Sequence, residues 1–223
     1  MNLSRTALLR LLPFVAFMAV LALRGMAPID GRWGFDVRWL YGLNLLVVGG
    51  MLLVWRREYG ELARQNRPTL AEAALAVAVG LVVFALWIRL DAPWMQIGEP
   101  PRFVPVDAQG RLDAPLIALR WLGATLLVPV MEELFWRSFL MRWLQAPVFE
   151  GVDPGRVGFK AVALSTFVFM LAHPLWLAAI IAGLAYALLY CRSGKLWTAV
   201  LAHAVTNGML GLWVVQTGQW QFW

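Results

Sequence analysis

Residues 114–144 read APLIALRWLGATLLVPVMEELFWRSFLMRWL, and the reading of this run decides the fold. It keeps helical, apolar character throughout, so at about 1.5 Å per residue it outreaches a bilayer core of about 30 Å. A membrane helix of that length must tilt, protrude or kink, and Pro129 is the natural place to bend. Inside it stand two carboxylates, Glu132 and Glu133. Such groups are costly at membrane depth unless they face a polar cavity, which makes them functional candidates.

Working outward, apolar runs long enough to cross a bilayer occur at about 6–23, 37–55 and 69–90, before a Pro/Gly-rich loop at 91–113. Beyond the Pro/Gly/Asp segment 147–158, a helix is expected over about 160–172 up to His173-Pro174. A further run reaches Leu189 and a last one spans about 196–215. The sum is an all-α polytopic membrane bundle of seven transmembrane helices, or eight if the fourth run is broken. It reads as a single membrane domain over 1–223, with N-terminal transmembrane helices in 1–90.

Composition agrees: 61% of the 223 residues are hydrophobic and 14% charged, and mean hydropathy is +0.68. No stretch remains for a separate water-soluble core. The formal charge of +6 does not point to nucleic acid, because the basic residues are scattered through short loops. They read as topology determinants or, as a lesser reading, an anionic-lipid contact. Eleven of them, from Arg5 and Arg10 to Arg192 and Lys195, fall on the N-terminal side in a seven-span layout. Seven fall opposite: Arg24, Arg32, Arg38, Arg89, Arg102, Arg111 and Arg120. The bias predicts a cytoplasmic N-terminus. The first run lacks a small-residue cleavage pattern before Arg24 and is expected to be an uncleaved anchor. The single cysteine, Cys191, is expected to pack near a helix end.

The two histidines, His173 and His203, also lie in apolar helical segments, and Asn207 is one turn beyond His203 on the same face. With Arg120, Lys160 and Lys195 as interface markers, Glu132 and His203 come to about 12 Å from the inner edge, Asn207 to about 18 Å and His173 to about 20 Å. Three separate helices therefore bring polar groups into one layer. Peptide hydrolysis needs this set: a carboxylate to take a proton from water, a group to orient that water, and donors for an oxyanion. Glu132 is expected to be the base and His173 to share the water, while His203 and Asn207 donate to one oxygen. Arg137, four residues after Glu133, is expected to pair with it.

Three motifs carry a resemblance. Glu132-Glu133-Leu-Phe-Trp-Arg137 fits EExxxR, Phe169-Met-Leu-Ala-His173 fits FxxxH, and His203-Ala-Val-Thr-Asn207 fits HxxxN. In that order on membrane helices they resemble the CPBP family of intramembrane endopeptidases, which includes the type II CAAX prenyl proteases. The resemblance covers about 115–210, the catalytic helical core. It implies a glutamate-dependent protease needing no cofactor or metal, with catalytic roles on Glu132, His173, His203 and Asn207 and supporting ones on Glu133, Arg137 and Phe169. The implied partners are a membrane-associated protein or peptide substrate and the bilayer, in a bacterial inner membrane. The ending, with Leu201–Gly208 and Gly218-Gln-Trp-Gln-Phe-Trp223, further resembles the CAAX-protease-related proteins of exosortase and PEP-CTERM sorting systems.

Each residue also has a plainer reading. The Glu-Glu pair with Arg137 can be a helix-packing device, a lone histidine a hydrogen-bonded packing residue, and Asn207 a helix-bridging amide. Phe169, Trp136, Trp143 and Trp176 read as packing or interfacial residues without a chemical role. Among functions, a zinc protease competes on two histidines and a glutamate but lacks HExxH. A proton-coupled carrier competes on the buried carboxylates but lacks inverted repeats. A catalytically idle scaffold is the remaining alternative.

Overall fold

A computed structural model describes residues 3–27, 34–98, 103–107 and 109–223. Arg32, Arg102 and part of the 91–113 loop lie outside those residues. Among the described residues the chain is helical, with one isolated antiparallel bridge between Val106 and Leu112. The rods are α1 (Arg5–Met26), α2 (Leu40–Val54), α3 (Leu70–Trp87), α4 (Ala114–Gln145), α5 (Phe159–Leu171), α6 (Trp176–Ser193) and α7 (Leu196–Thr217).

Six of these are long and apolar enough to cross a membrane, α2 together with the 3₁₀ turn Val37–Trp39 that leads into it. The exception is α5, whose 13 residues reach about 20 Å, short of a core of about 30 Å. The expectation of seven or eight full spans is thus met for six. The reason lies at Pro174, which has no amide proton and stops the helix three residues after Leu171. The N-cap chemistry is local. Ser4 accepts from the Ala7 amide, Thr69 and Glu72 form a capping box, and Asp113 accepts from the Leu116 amide. At the other ends, Gly194 (φ 68°) and Gly218 (φ 69°) take the left-handed conformation that closes α6 and α7.

The fourth run is not broken. It is one continuous rod of 32 residues in which two π-helical stretches, Gly123–Leu127 and Leu134–Met141, alternate with α-helix. Pro129 does not split the helix, because the wider turn before it absorbs the missing donor. The Val128 amide bonds to Gly123 in the π register, so the acceptor Ala124 would need the amide of position 129, which is proline. Asn207 supplies the substitute, donating Nδ2–H to the Ala124 carbonyl at 2.9 Å. The same solution recurs in α1: Pro13 deprives Leu9 of its partner, and the Tyr59 hydroxyl donates to that carbonyl at 3.0 Å.

Small residues let the rods approach. A methyl at Gly80 of α3 would stand 2.5 Å from the Ala202 carbonyl of α7, and one at Gly183 of α6 would stand 3.0 Å from Thr166 of α5. Contacts sort the connections into two ends. At one, Arg5 meets Glu58, Ser4 meets Glu150, Glu72 meets Lys195, and Trp197 donates to Leu62. At the other, Arg38 binds the carbonyls of Val104 and Val106, Phe103 bonds Trp223, and Trp176 donates to Trp94. Arg5 and Lys195, two of the basic residues assigned to the N-terminal side, thus share one end.

Candidate active site

The polar groups of the three motifs meet on α4, α5 and α7. Glu133 is fully buried, with 0% of its surface exposed, and its Oε1 lies 2.8 Å from His203 Nδ1 and 3.2 Å from an Arg137 NH group. Arg137 Nε lies 3.1 Å from Glu133 Oε2, an ion pair too bent to be a hydrogen bond. The same guanidinium donates to the Gly183 carbonyl at 3.1 Å and lies over the rings of Phe169 (4.7 Å) and Tyr186 (5.5 Å). The expected Glu133–Arg137 pair is therefore present, and it ties α4 to α5, α6 and α7. A buried carboxylate held by a guanidinium and an imidazole resists removal of any single member.

Glu132 sits one step round the helix in a different environment. Its Oε2 accepts from the indole N–H of Trp136 at 3.2 Å, and Oε1 has no protein partner among the described residues. Trp136 packs edge-on to Phe169 at 5.5 Å, and Phe169 in turn packs on His173 at 4.4 Å. Trp136 thus has a polar task, contrary to the reading of it as packing alone. Indole donors seldom declare themselves in an apolar run, but the i,i+4 spacing from Glu132 was a usable signal.

His173 lies just past the end of α5, where its Nδ1 is 2.8 Å from the Phe169 carbonyl. A carbonyl only accepts, so Nδ1 carries a proton, and in the neutral ring Nε2 presents a lone pair. The edge of Trp87 closes the other side of the ring at 5.8 Å, while the Arg137 guanidinium over Phe169 joins the second motif to the first and the His203–Glu133 bond joins the third. Hence all three motifs converge.

His203 and Asn207, expected to donate to one oxygen, each already spend part of their hydrogen-bonding capacity within the protein. His203 directs Nδ1 at Glu133 and stacks on Tyr186 at 5.0 Å, while Asn207 uses one amide proton on Ala124. What remains for a ligand is His203 Nε2 and the second amide proton of Asn207. Donation from Nε2 requires a proton on that nitrogen.

Between α6 and α7 a further chain runs from the Tyr186 hydroxyl to Thr206 Oγ1 at 2.8 Å, and from Thr206 to the Gly80 carbonyl at 2.9 Å. It fixes the platform under His203, and neither Tyr186 nor Thr206 stood out in the sequence. Among the described residues no three histidine, cysteine or acidic side chains gather as a metal site.

Against this geometry the comparisons with known proteins fall into place. Residues 114–209 match the family model for type II CAAX prenyl endopeptidase, Rce1-like. The match takes in every residue of the three motifs and supports the CPBP/CAAX protease family, whose members are hydrolases. No curated protein and no solved structure matches the chain.

Proposed function

We propose that this chain is an intramembrane endopeptidase of the glutamic type. In this reading Glu132 accepts a proton from a water whose second hydrogen is held by His173 Nε2. The water oxygen attacks the carbonyl carbon of the peptide bond, and His203 Nε2–H and the free Asn207 amide proton receive the developing oxyanion. When the tetrahedral intermediate collapses, Glu132 returns its proton to the leaving amine. Glu133 and Arg137 take no proton. They hold the His203 ring in place and fix the rotation of α4.

The observation that carries the reading is the unequal treatment of neighbouring carboxylates. Glu133 is sealed by Arg137 and His203, whereas Glu132 keeps an oxygen with no protein partner among the described residues, and the Trp136 that donates to its other oxygen leads through Phe169 to the ring of His173. A purely structural ion-pair network requires only the first.

We place the N-terminus in the cytoplasm of a bacterial cell with the protein in the inner membrane, on the strength of the basic end. We also place the substrate in an exosortase type of sorting system, on the strength of the Trp-rich ending. Comparing membrane and secreted proteomes of cells carrying the wild-type chain and Glu132→Gln tests this reading. Peptide termini present only with the wild type are expected among sorted proteins. Identical terminal peptides in both strains would refute proteolysis.

A further inference from the structure

Between α2 and α3, at the end where Arg5 meets Glu58, the connection 55–69 carries four arginines and two glutamates. Both glutamates are spent on α1: Glu58 pairs with Arg5 at 2.7 Å, and Glu61 pairs with Arg10 at 2.7 Å. Glu72, at the start of α3, is taken by Lys195 at 2.8 Å. Arg56, Arg57, Arg64 and Arg67 are left exposed, with no acidic partner among the described residues.

Three of these guanidiniums border open grooves. A cavity of about 360 Å³ is lined by Arg56 and Arg64 and by the apolar side chains of Leu52, Leu53, Leu62 and Val130. A second, of about 390 Å³, is lined by Arg67, Pro68 and Leu201. Trp197 of α7 lines both. Its indole N–H donates to the Leu62 carbonyl at 3.1 Å, which fixes the ring as a partition between two grooves of ligand size.

Neither groove belongs to the motif site. Val130 precedes Glu132, and Leu201 precedes His203, by two positions on α-helix, so each lies about 200° round its helix from the motif side chain. The grooves therefore run along the backs of α4 and α7. Because α2 ends at Val54 and α3 begins at Leu70, the arginines between them sit at the lipid–water boundary. Leu53, on the open side, is 64% exposed on a helix apolar enough to face lipid. Apolar walls beneath unpaired cations fit a molecule with an anionic head and a hydrocarbon tail, and two grooves beside one partition fit two tails. An acidic peptide or a free anion has nothing to lay against the walls.

We propose that the two grooves hold one anionic phospholipid, its phosphate on Arg64 and Arg67 and one acyl chain on each side of Trp197. Arg64 and Arg67 are joined by a single 3₁₀ turn, with the Arg67 amide bonded to the Arg64 carbonyl at 3.2 Å, so both can reach one headgroup. The occupant ties the α2–α3 connection to the backs of the helices that bear Glu132 and His203. The site shares no side chain with the proposed chemistry and stands whether or not the chain is a protease.

Native mass spectrometry of delipidated full-length protein tests the site, with dioleoylphosphatidylglycerol, zwitterionic dioleoylphosphatidylcholine and one-chain oleoyl-lysophosphatidylglycerol as probes. One tightly held phosphatidylglycerol is expected, with each of the other two held at least about fivefold more weakly. Arg64→Gln and Arg67→Gln together should weaken that adduct by more than about tenfold, at about fivefold for each cation removed. Neither side chain has a partner within the protein among the described residues, so the double variant should melt with the wild type. Arg57→Gln, exposed in the same connection but lining neither groove, should leave the adduct unchanged. Equal retention of phosphatidylcholine or of the one-chain lipid, or equal retention by the double variant, would overturn the proposal. So would an equal loss in Arg57→Gln, displacement by soluble tetraglutamate, or a lipid-free dimer in place of the adduct.

Discussion

Glu132 and Glu133 are identical in chemistry and adjacent in sequence, yet one is bonded to a single indole and the other is enclosed by an arginine and a histidine. The difference makes a sharp prediction about stability. Replacing Glu133 by Gln leaves the Arg137 charge buried with too few acceptors and should cost about 3–5 kcal/mol. Glu132→Gln removes no ion pair and should stay within about 0.5 kcal/mol of wild type. Thermal unfolding of both variants in one detergent measures the contrast, and equal losses would mean the two carboxylates are not distinguished as described. At this scale the sequence was informative where spacing decides contact. The i,i+4 offset of Glu133 and Arg137 was enough to pair them. It was uninformative where contact depends on how helices are rotated against each other, so nothing in it chose Glu133 over Glu132 as the partner of His203. Asn207 was likewise recognisable as a motif residue, but its bond to the Ala124 carbonyl depends on a helix register that spacing alone does not reveal.

That register belongs to the element. α4 is apolar around most of its circumference, so its hydrophobic pattern cannot report whether a turn holds 3.6 residues or more. Helix positions elsewhere were legible, since interfacial charges, prolines and glycines mark their ends. Leu196–Thr217 was expected at about 196–215 and Phe159–Leu171 at about 160–172. The first π-helical stretch escaped notice because it depends on the interplay of Pro129 with a side chain from another rod. π-helical turns concentrate at functional sites, and these two flank the Glu132-Glu133 pair. Pro129→Ala restores an amide proton and allows Ala124 to be satisfied within its own helix. The expected result is a protein at least as stable as wild type in thermal unfolding but with peptide cleavage reduced about tenfold or more, because a local change of register turns Glu132 away from His173. Unchanged cleavage would show that the π turn is not needed for the site.

At the scale of the whole molecule, the N-terminal rods lie outside the stretch that matches the family model, yet they grip its core. Arg10 of α1, buried to 4% exposure, binds Glu61 at 2.7 and 2.9 Å and Ser138 at 3.0 Å, and Ser138 also donates to Glu61. Ser138 is the residue after Arg137, so this knot anchors the second π-helical stretch of α4. Burial alone would push the Glu61 carboxyl up, but the Arg10 bonds and charge, with Ser138, outweigh it and hold the group below its ordinary value of 4.5. A carboxylate depressed in the folded state contributes stability above about pH 4.5, and that contribution is lost as pH falls through the lower folded value. Melting temperature should therefore drop more steeply on acidification below that pH in the wild type than in Glu61→Gln, which is also the less stable at neutral pH. This knot was not readable from the sequence. It joins residues more than a hundred positions apart, and no local pattern records which loop carboxylate meets which arginine.

The account as a whole stands on Glu132 and His173 sharing one hydrolytic water. The most direct measurement is the cleavage rate of a membrane-delivered peptide by the full chain reconstituted in liposomes, comparing wild type, Glu132→Gln and His173→Ala. The account predicts a loss of at least about a thousandfold in Glu132→Gln and about a hundredfold in His173→Ala, with melting temperatures close to wild type. Cleavage at the wild-type rate by both variants would contradict it.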